Sequence, residues 1–554
     1  MSTGSTKSDS AKKAGRKERN AAETSSRREP LRAAAPPRDV IPENVWHIGV
    51  IVIFMIAAVL RLYDLALVPL HHDEGVNGNF LVKLVREGAY QYDPENYHGP
   101  TLYYFSAIIP WITRVLFGTN ARETYGLTTF TIRLIPALFG LATIGLVFLL
   151  RKRLGTLATL AAALLLAVSP GAVYLSRYFI HETLFVFFTL GIVVAALRFY
   201  DERNPAYLIP GAASAALLFA TKETAMISAG VLLIGLGLTW AYMRFIGKPS
   251  SARGKRIGEK LLEMTDEMGG RAMLLGSLGL ALFVFIALYL LFYSSFYTNT
   301  KGISDSLQTF AVWTRTGKTA HVHPPAQYVI WLARIELPLL LLGALGAVFA
   351  VLKPKNSLAL FCALWSFGLI AAYSLIPYKT PWLVLNFVVP LALVAGYAIQ
   401  AVFEADHFQW RLVSVILAIG IGIASYQCLD LNFVNYDNDD ERYVYVYAHT
   451  TRGILDLVNH IEQLAKENSG GKTGITIVSP DYWPLPWYLR NFTRVGYFGR
   501  MAATSEPMII ANENQKAEVE ASYGEVYEQV RSNQTDGAFE LRPGVKLLLY
   551  QRRR

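Results

Sequence analysis

Long apolar runs recur along the middle of the chain, at approximately 46–66, 130–150, 156–175, 183–198, 206–220, 225–243, 272–293, 327–352, 357–376, 381–402 and 411–428. Most approach the ~20 residues with which a helix crosses a bilayer. The pattern therefore predicts eleven membrane spans between about Val45 and Leu429. Ahead of them, residues 1–44 carry ten basic and six acidic residues without apolar periodicity, which predicts a disordered arm. The charged start directly followed by an apolar stretch and a small-residue cleavage site, as in a secretory leader, is not found near Met1. From Asp430 to Arg554 the chain turns polar again. There, Gly453–Glu467 and Glu518–Val530 have helical spacing, while 474–479, 507–511 and 545–550 are strand-like, so residues 430–554 predict a small α/β domain. The stretch Trp483–Trp487 reads as part of a packed core rather than a membrane-interface belt.

Basic clusters orient the spans. The N-terminal arm, Arg151-Lys152-Arg153, Arg198 with Arg203, the loop 244–271, and Lys353 with Lys355 all fall on one side, which the positive-inside rule makes cytoplasmic. To keep them there, the Pro- and Arg-containing apolar stretch 101–117 is placed in the outer interface instead of across the bilayer. The C-terminal domain is then extracytoplasmic. Composition agrees: 53% of the 554 residues are hydrophobic and 17% charged, against roughly 25% charged in soluble domains. The net charge of +10 reads as basic cytoplasmic loops, not as a nucleic-acid surface. Two cysteines exclude a disulfide scaffold or a Cys-rich zinc module. The fold class is an all-α polytopic membrane domain with a small C-terminal α/β domain.

On the opposite side collect the residues that positive-inside does not ask for: His71-His72-Asp73-Glu74, Ser176-Arg177 to His181-Glu182, Thr221-Lys222-Glu223, the loop 294–327, and Pro377-Tyr378-Lys379. Ionisable groups at the margins of apolar helices tend to face a cavity and mark a substrate path, although any one of them can simply snorkel or anchor its helix. A carboxylate at the low-dielectric boundary, as Asp73 or Glu74 would be, is suited to act as a base; adjacent carboxylates are also common solvated decoration. His321-Val322-His323 has a ligand-like spacing for a divalent ion, yet a His-x-His before Pro324-Pro325 is more often an ordinary loop. Asn491-Phe492-Thr493 and Asn533-Gln534-Thr535 read as N-glycosylation acceptors. A Gly-rich nucleotide loop is not found, which argues against a soluble nucleotide-sugar or ATP.

The order His71-His72-Asp73-Glu74-Gly75, Tyr97-His98-Gly99-Pro100-Thr101-Leu102-Tyr103-Tyr104, Arg133-Leu134-Ile135-Pro136, Arg151-Lys152-Arg153-Leu154-Gly155, Ser169-Pro170 and Ser176-Arg177 with Glu182 resembles the GT-C superfamily of membrane glycosyltransferases. Within it the chain is similar to the protein O-mannosyltransferase and lipid A aminoarabinose transferase group, glycosyltransferase family 39, over roughly residues 61–240. Asn438-Asp439-Asp440-Glu441-Arg442-Tyr443-Val444-Tyr445-Val446-Tyr447 and Tyr482-Trp483-Pro484-Leu485-Pro486-Trp487-Tyr488-Leu489-Arg490 look like the flippase-activity-associated branch. Gly99 stands where the group's first proline of a pair is usual.

The resemblance implies a GT-C fold, a polyprenyl-phosphate-sugar donor, and a protein, glycan or lipid acceptor at a membrane-lipid surface, without nucleic acid. It implies Asp73 as the base, with Glu74 orienting it or serving as a second acid, and inversion by direct displacement. Arg177, Lys222 and Lys379 would meet the donor phosphate, with Glu182, Glu223, His98 and Tyr103 in support. A divalent ion, if one is needed, would fall to His321 and His323. A transporter would be expected to show paired halves, and no internal repeat is visible. A non-catalytic partner of a flippase would keep the fold without needing Asp73.

Overall fold

A computed structural model describes residues 41–88, 90–95, 98–117, 126–246, 257–319, 321–404, 409–438, 442–532 and 537–553. The expected arm up to residue 40, the Asn533–Thr535 acceptor, Tyr97 and the acidic part of the 438–447 motif, residues 439–441, lie outside the described residues. The main helices are α1 (Glu43–Leu62), α2 (His72–Glu87), α3 (Thr101–Phe117), α4 (Thr129–Phe148), α5 (Thr156–Val168), α6 (Pro170–Ser176), α7 (Glu182–Glu202), α8 (Leu208–Phe219), α9 (Ala225–Phe245), α10 (Gly270–Tyr293), α11 (Lys301–Thr319), α12 (Gln327–Ile335), α13 (Leu337–Leu352), α14 (Ser357–Leu375), α15 (Leu385–Phe403) and α16 (Gln409–Leu429), with further helices at Arg151–Leu154 and Ile257–Glu267. Among the described residues, eight helices are long and apolar enough to cross a membrane, and ten spans result if the bent pairs α5/α6 and α12/α13 each count as one. The eleventh expected span, 206–220, falls short of that length test, since α8 has 12 residues, about 18 Å at 1.5 Å per residue against a hydrocarbon core of ~30 Å, but it still runs between the end of the bundle that holds Arg203 and the end that holds Thr221 and Glu223. The chain is an integral membrane protein with α15 at its centre, 94% of its span window buried.

Both bends come from prolines, which lack the N–H that continues a helix. Pro170 opens α5/α6 by 61°, and the carbonyls of Leu166 and Ala167 accept instead from the Arg61 guanidinium, each at 3.0 Å. Pro338 lies at the 114° bend of α12/α13, where Glu336 reaches across to the first bend. Its carboxylate accepts from the Ser169 hydroxyl at 2.7 Å and the Gly171 N–H at 2.8 Å. The α5/α6 break thus has its freed carbonyls on one charged side chain and an N–H beyond it on another, each from a different helix, as a low-dielectric interior requires.

The two ends of the bundle differ. At one, the start of α1, the ends of α4 and α7 and the start of α14 meet through Arg151–Glu43, Arg153–Asp201, Arg198–Glu202, Arg203–Glu267 and a bond from Asn356 to the Arg153 carbonyl. The other end gathers the start of α2, the start of α4, and the loops 177–182, 220–224 and 377–380.

The C-terminal part is a helix, α17 (Gly453–Glu467), against a sheet of β1 (Ile475–Ile477), β2 (Val495–Tyr497), β3 (Met508–Asn512), β4 (Tyr527–Val530), β5 (Phe539–Arg542) and β6 (Val545–Arg552). The strand order is β2-β1-β3-β6-β4, with β5 also on β6; β2, β1 and β3 run parallel and β6 antiparallel to β3, β4 and β5. Ile454, Leu457 and Ile461 of α17 bury against Ile475, Ile477 and Leu549. The expected helix 518–530 is half right: a helix covers Lys516–Tyr523, and after Gly524 the chain extends into β4. β2 and β5, three and four residues long, were too short to announce themselves.

Candidate functional site

The neighbouring carboxylates Asp73 and Glu74 meet opposite environments at the start of α2. His71 caps the helix, its Nδ1 accepting the Asp73 N–H at 3.1 Å while Glu74 accepts the His71 N–H at 3.0 Å, a reciprocal cap. Because Nδ1 accepts, Nε2 carries the ring proton and donates it to the Tyr447 carbonyl at 3.0 Å. Glu74 is fully buried and bidentate to Arg133, Nε at 2.7 Å and a terminal nitrogen at 2.6 Å. It also accepts the Phe179 N–H at 2.7 Å. Arg133 spends its remaining donors on carbonyls of the α1–α2 connection, Leu65 and Val68 among them. Asp73 is half-buried, and its carboxylate makes no hydrogen bond or ion pair with the described residues. Glu74 is therefore a fastening, and the carboxylate with free acceptor capacity is Asp73.

A second cluster is built on loops 98–101, 181–182 and 220–224. Lys222 and Glu182 form a buried ion pair at 2.5 Å. His98 donates from Nδ1 to Glu223 at 2.9 Å, so Glu223 holds a histidine, whereas the direct ion pair of Lys222 among the described residues is with Glu182. Burial raises the Glu223 proton affinity, but His98 and then Lys222 outweigh it and hold its carboxyl down to about 2. His181, fully buried, is pushed well below the ordinary histidine range by burial first and by His98 and Lys222 next; its Nε2 donates to the Gly99 carbonyl at 2.9 Å. Gly99 is fixed by sterics: its N–H donates to the Thr221 carbonyl at 3.0 Å, and a Cβ there would stand 2.1 Å from the Ala220 carbonyl oxygen. A proline could supply neither the N–H nor the space. Tyr103 donates to Asn77 Oδ1 at 2.8 Å, and Asn77 Nδ2 to the Phe179 carbonyl at 3.1 Å.

Tyr378 joins the two clusters, its phenol lying within electrostatic reach of Asp73, Glu223 and Glu182. Around it stand His321, whose ring meets Tyr378 edge-on at 5.4 Å and whose Nδ1 faces the Tyr447 hydroxyl at 3.0 Å, and Trp382, packed on both Tyr447 and His71. Lys379 follows directly. Its side chain is buried, and its ammonium donates to the carbonyls of Ile376 at 2.5 Å and His323 at 3.3 Å. Among the described residues no carboxylate pairs with it.

Two expectations are corrected. Arg177 does not point at a phosphate site: one guanidinium nitrogen donates to the carbonyls of Leu60 and Tyr63, the other to that of Asp64, and its plane covers Phe433. The unpaired carbonyls at the end of α1 claim it. His321 and His323 do not fit a metal ion, since their rings pack on different neighbours, Tyr378 with Tyr447 and Trp331 respectively. Among the described residues no three His, Cys, Asp or Glu side chains gather as ligands.

The C-terminal domain reaches this site through the 482–490 segment, which splits between two surfaces. Leu485 and Leu489 bury in the domain core, whereas Trp487 buries on α2. A Cβ on Gly75 would stand 2.5 Å from Pro484, and one on Gly78 2.6 Å from the Trp487 ring. Trp483 lies on His72 with ring centroids 6.0 Å apart, Tyr488 accepts the Leu70 N–H at 2.9 Å, and Arg490 donates to the Leu127 carbonyl at 2.8 Å. Sequence reading missed the roles of His71, Asn77, His181, Tyr378 and Tyr447. The spacing of Gly75 and Gly78 on one helix face was the available signal for a close partner.

A family model described as dolichyl-phosphate-mannose-protein mannosyltransferase matches residues 104–247. Among curated proteins none matches by sequence. Among solved structures, ArnT from Cupriavidus metallidurans bound to undecaprenyl phosphate is similar over 92% of this chain and 97% of that one, with a TM-score of 0.55 and 13% identity. The Archaeoglobus fulgidus oligosaccharyltransferase in complex with Zn and sulfate is similar over 89% and 73%, at 0.51 and 13%. AglB from the same organism, in complex with an inhibitory peptide and a dolichol-phosphate, is similar over 90% and 74%, at 0.50 and 13%. At these identities the likeness is one of fold.

Proposed function

We propose, from a chain with the fold of the GT-C membrane glycosyltransferases, that it transfers a glycosyl group from a polyprenyl-phosphate sugar to an acceptor on the extracytoplasmic side, with inversion. The relatives bound to undecaprenyl phosphate and dolichol-phosphate support this class of donor. The observation that carries the reading is the contrast between Glu74, saturated by Arg133 and two backbone N–H groups, and Asp73, one residue earlier, whose carboxylate keeps its lone pairs.

In this reading Asp73 takes the proton of the acceptor hydroxyl as its oxygen bonds to the anomeric carbon. The bond from that carbon to the phosphate oxygen breaks on the opposite face, and polyprenyl phosphate leaves. One base and one displacement give inversion. The leaving charge falls to Lys379, a buried cation without a carboxylate partner among the described residues, whereas the charge of Lys222 is already answered by Glu182. A fixed cation costs little reorganisation as charge develops. The basic pairs at the far end of the bundle support a cytoplasmic face there, which leaves Asp73 and the C-terminal domain outside.

The test is release of polyprenyl phosphate from a panel of polyprenyl-phosphate sugars by protein in nanodiscs. Asp73→Asn should lower turnover by about 10²–10⁴ with thermal unfolding unchanged. Undiminished release by Asp73→Asn would remove Asp73 as the base. Donor binding without consumption by the wild type, across acceptors, would turn the reading to a non-catalytic handler of lipid-linked sugars.

A further inference from the structure

A cleft of about 700 Å³ opens beside the site, between the outer half of α2, the segment 90–95 and the start of α11. Its floor is aromatic. Tyr90 and Tyr92 are buried there, Tyr90 packed on Tyr103 at 5.0 Å and Tyr92 on Tyr293 at 5.0 Å. Since Tyr103 in turn meets His181 at 5.6 Å and Tyr92 lies within electrostatic reach of Glu223, the floor of the cleft is the back of the second cluster.

The walls are polar in both senses. Gln91, Asn299 and Gln308 offer carboxamides that donate and accept, and Asp93, Glu95 and Asp305 offer carboxylates. With Lys83 and Lys301 the lining carries three acids and two bases, a net charge of −1, which does not suit a phosphate or a polyanion. The polarity does not suit an isoprenoid tail. Asp305 is the most telling wall residue. Its side chain is 7% exposed, yet its one recorded partner among the described residues is Lys301 at 3.9 Å, which leaves a buried carboxylate with acceptor capacity facing the cleft. Rigid ring faces below and mixed donors and acceptors around are complementary to a molecule with C–H faces and hydroxyl edges.

Distance adds a constraint. Phe80 and Lys83 line the cleft from α2, the helix whose first turn carries Asp73. At 1.5 Å per residue they lie about 10–15 Å beyond it, the length of about two to three sugar rings.

We propose that this cleft binds a neutral glycan of two to three sugar units. Its use as the holding site for a glycan acceptor rests on the transferase reading; the binding itself does not. The experiment uses the full chain in nanodiscs without donor lipid. Mannotriose, maltotriose and chitotriose are titrated by saturation-transfer NMR, beside a basic hexapeptide and inorganic phosphate. At least one trisaccharide should bind. Gln91→Ala combined with Gln308→Ala, both on exposed side chains, should weaken it about tenfold through two lost hydrogen bonds, while Asp73→Asn should leave it unchanged. Binding of the peptide or phosphate in place of the sugars, no sugar binding, or indifference to the double substitution would overturn the proposal. If sugars bind but no donor is ever consumed, the cleft stands and the transferase reading falls.

Discussion

The two ends of the helical bundle hold their charges in different ways. At the Arg151 end the ion pairs are wet: Arg153 and Asp201 side chains are 29% and 26% exposed, Arg198 and Glu202 23% and 35%. At the Asp73 end they are dry, with Glu74 and Arg133 at 0% and 2% and Glu182 and Lys222 at 2% and 4%. Charge that only has to stay on one side of a membrane needs no fixed geometry. A charge that must align a helix start with neighbouring loops does, and it is satisfied by several bonds at once. The wet end anchors the bundle, and the dry end sets the position of Asp73.

Breaking the dry end should therefore cost most. Glu74→Gln or Arg133→Met leaves an uncompensated buried charge, and each should lower stability by about 3–5 kcal/mol, read by thermal unfolding in detergent. Removing both charges together should recover part of the loss; strict additivity of the two would show that the pair does not act as a unit. Gly78→Val comes next, since it drives a branched side chain into Trp487. Overpacking of this kind costs about 1–3 kcal/mol, and limited proteolysis should find the 482–490 segment newly accessible, while unchanged protection would argue that Trp487 does not clasp α2.

Acid should loosen the second cluster in two steps. The folded proton affinity of His181 is depressed by burial, so its contribution is present above the unfolded value of 6.5 and is lost as pH falls below it. Glu223, held at about 2, contributes above its ordinary value of 4.5 and loses that contribution between 4.5 and 2. Stability of the wild type should fall through both windows, and Glu223→Gln should flatten the lower one. Least of all, Arg153→Ala at the wet end should change stability by less than about 1 kcal/mol, measured in the same unfolding experiment.

The difference between the ends also marks how far sequence reaches. Runs of apolar residues announce spans because the bilayer sets their length, and basic clusters announce an end because charge density alone decides it. Asp73 was legible as an acid at a boundary. That Glu74 would be consumed by Arg133, 59 positions away, was not, because two adjacent carboxylates look alike until the fold brings a guanidinium to one of them. Arg177 misled for the same reason: nothing local says that the carbonyls ending α1 will lie beside it. Arg61 and Glu336 stood inside apolar runs, and their partners, groups exposed at the Pro170 break, are in place only once that break has formed. The cleft was invisible because Tyr90 and Tyr92 acquire a shared floor only through contacts with other helices.

The clasp of Trp487 on Gly78 also sets a clock. The hydrogen bond from Leu70 to Tyr488 beside it spans 418 positions, so during synthesis the helix whose first turn carries Asp73 is complete long before its cover exists. At ~5–20 residues per second the wait is about 20–80 s. A nascent chain already threaded into the membrane would carry Asp73 without the 482–490 segment over it, and the site would be completed only as the last domain emerges and folds.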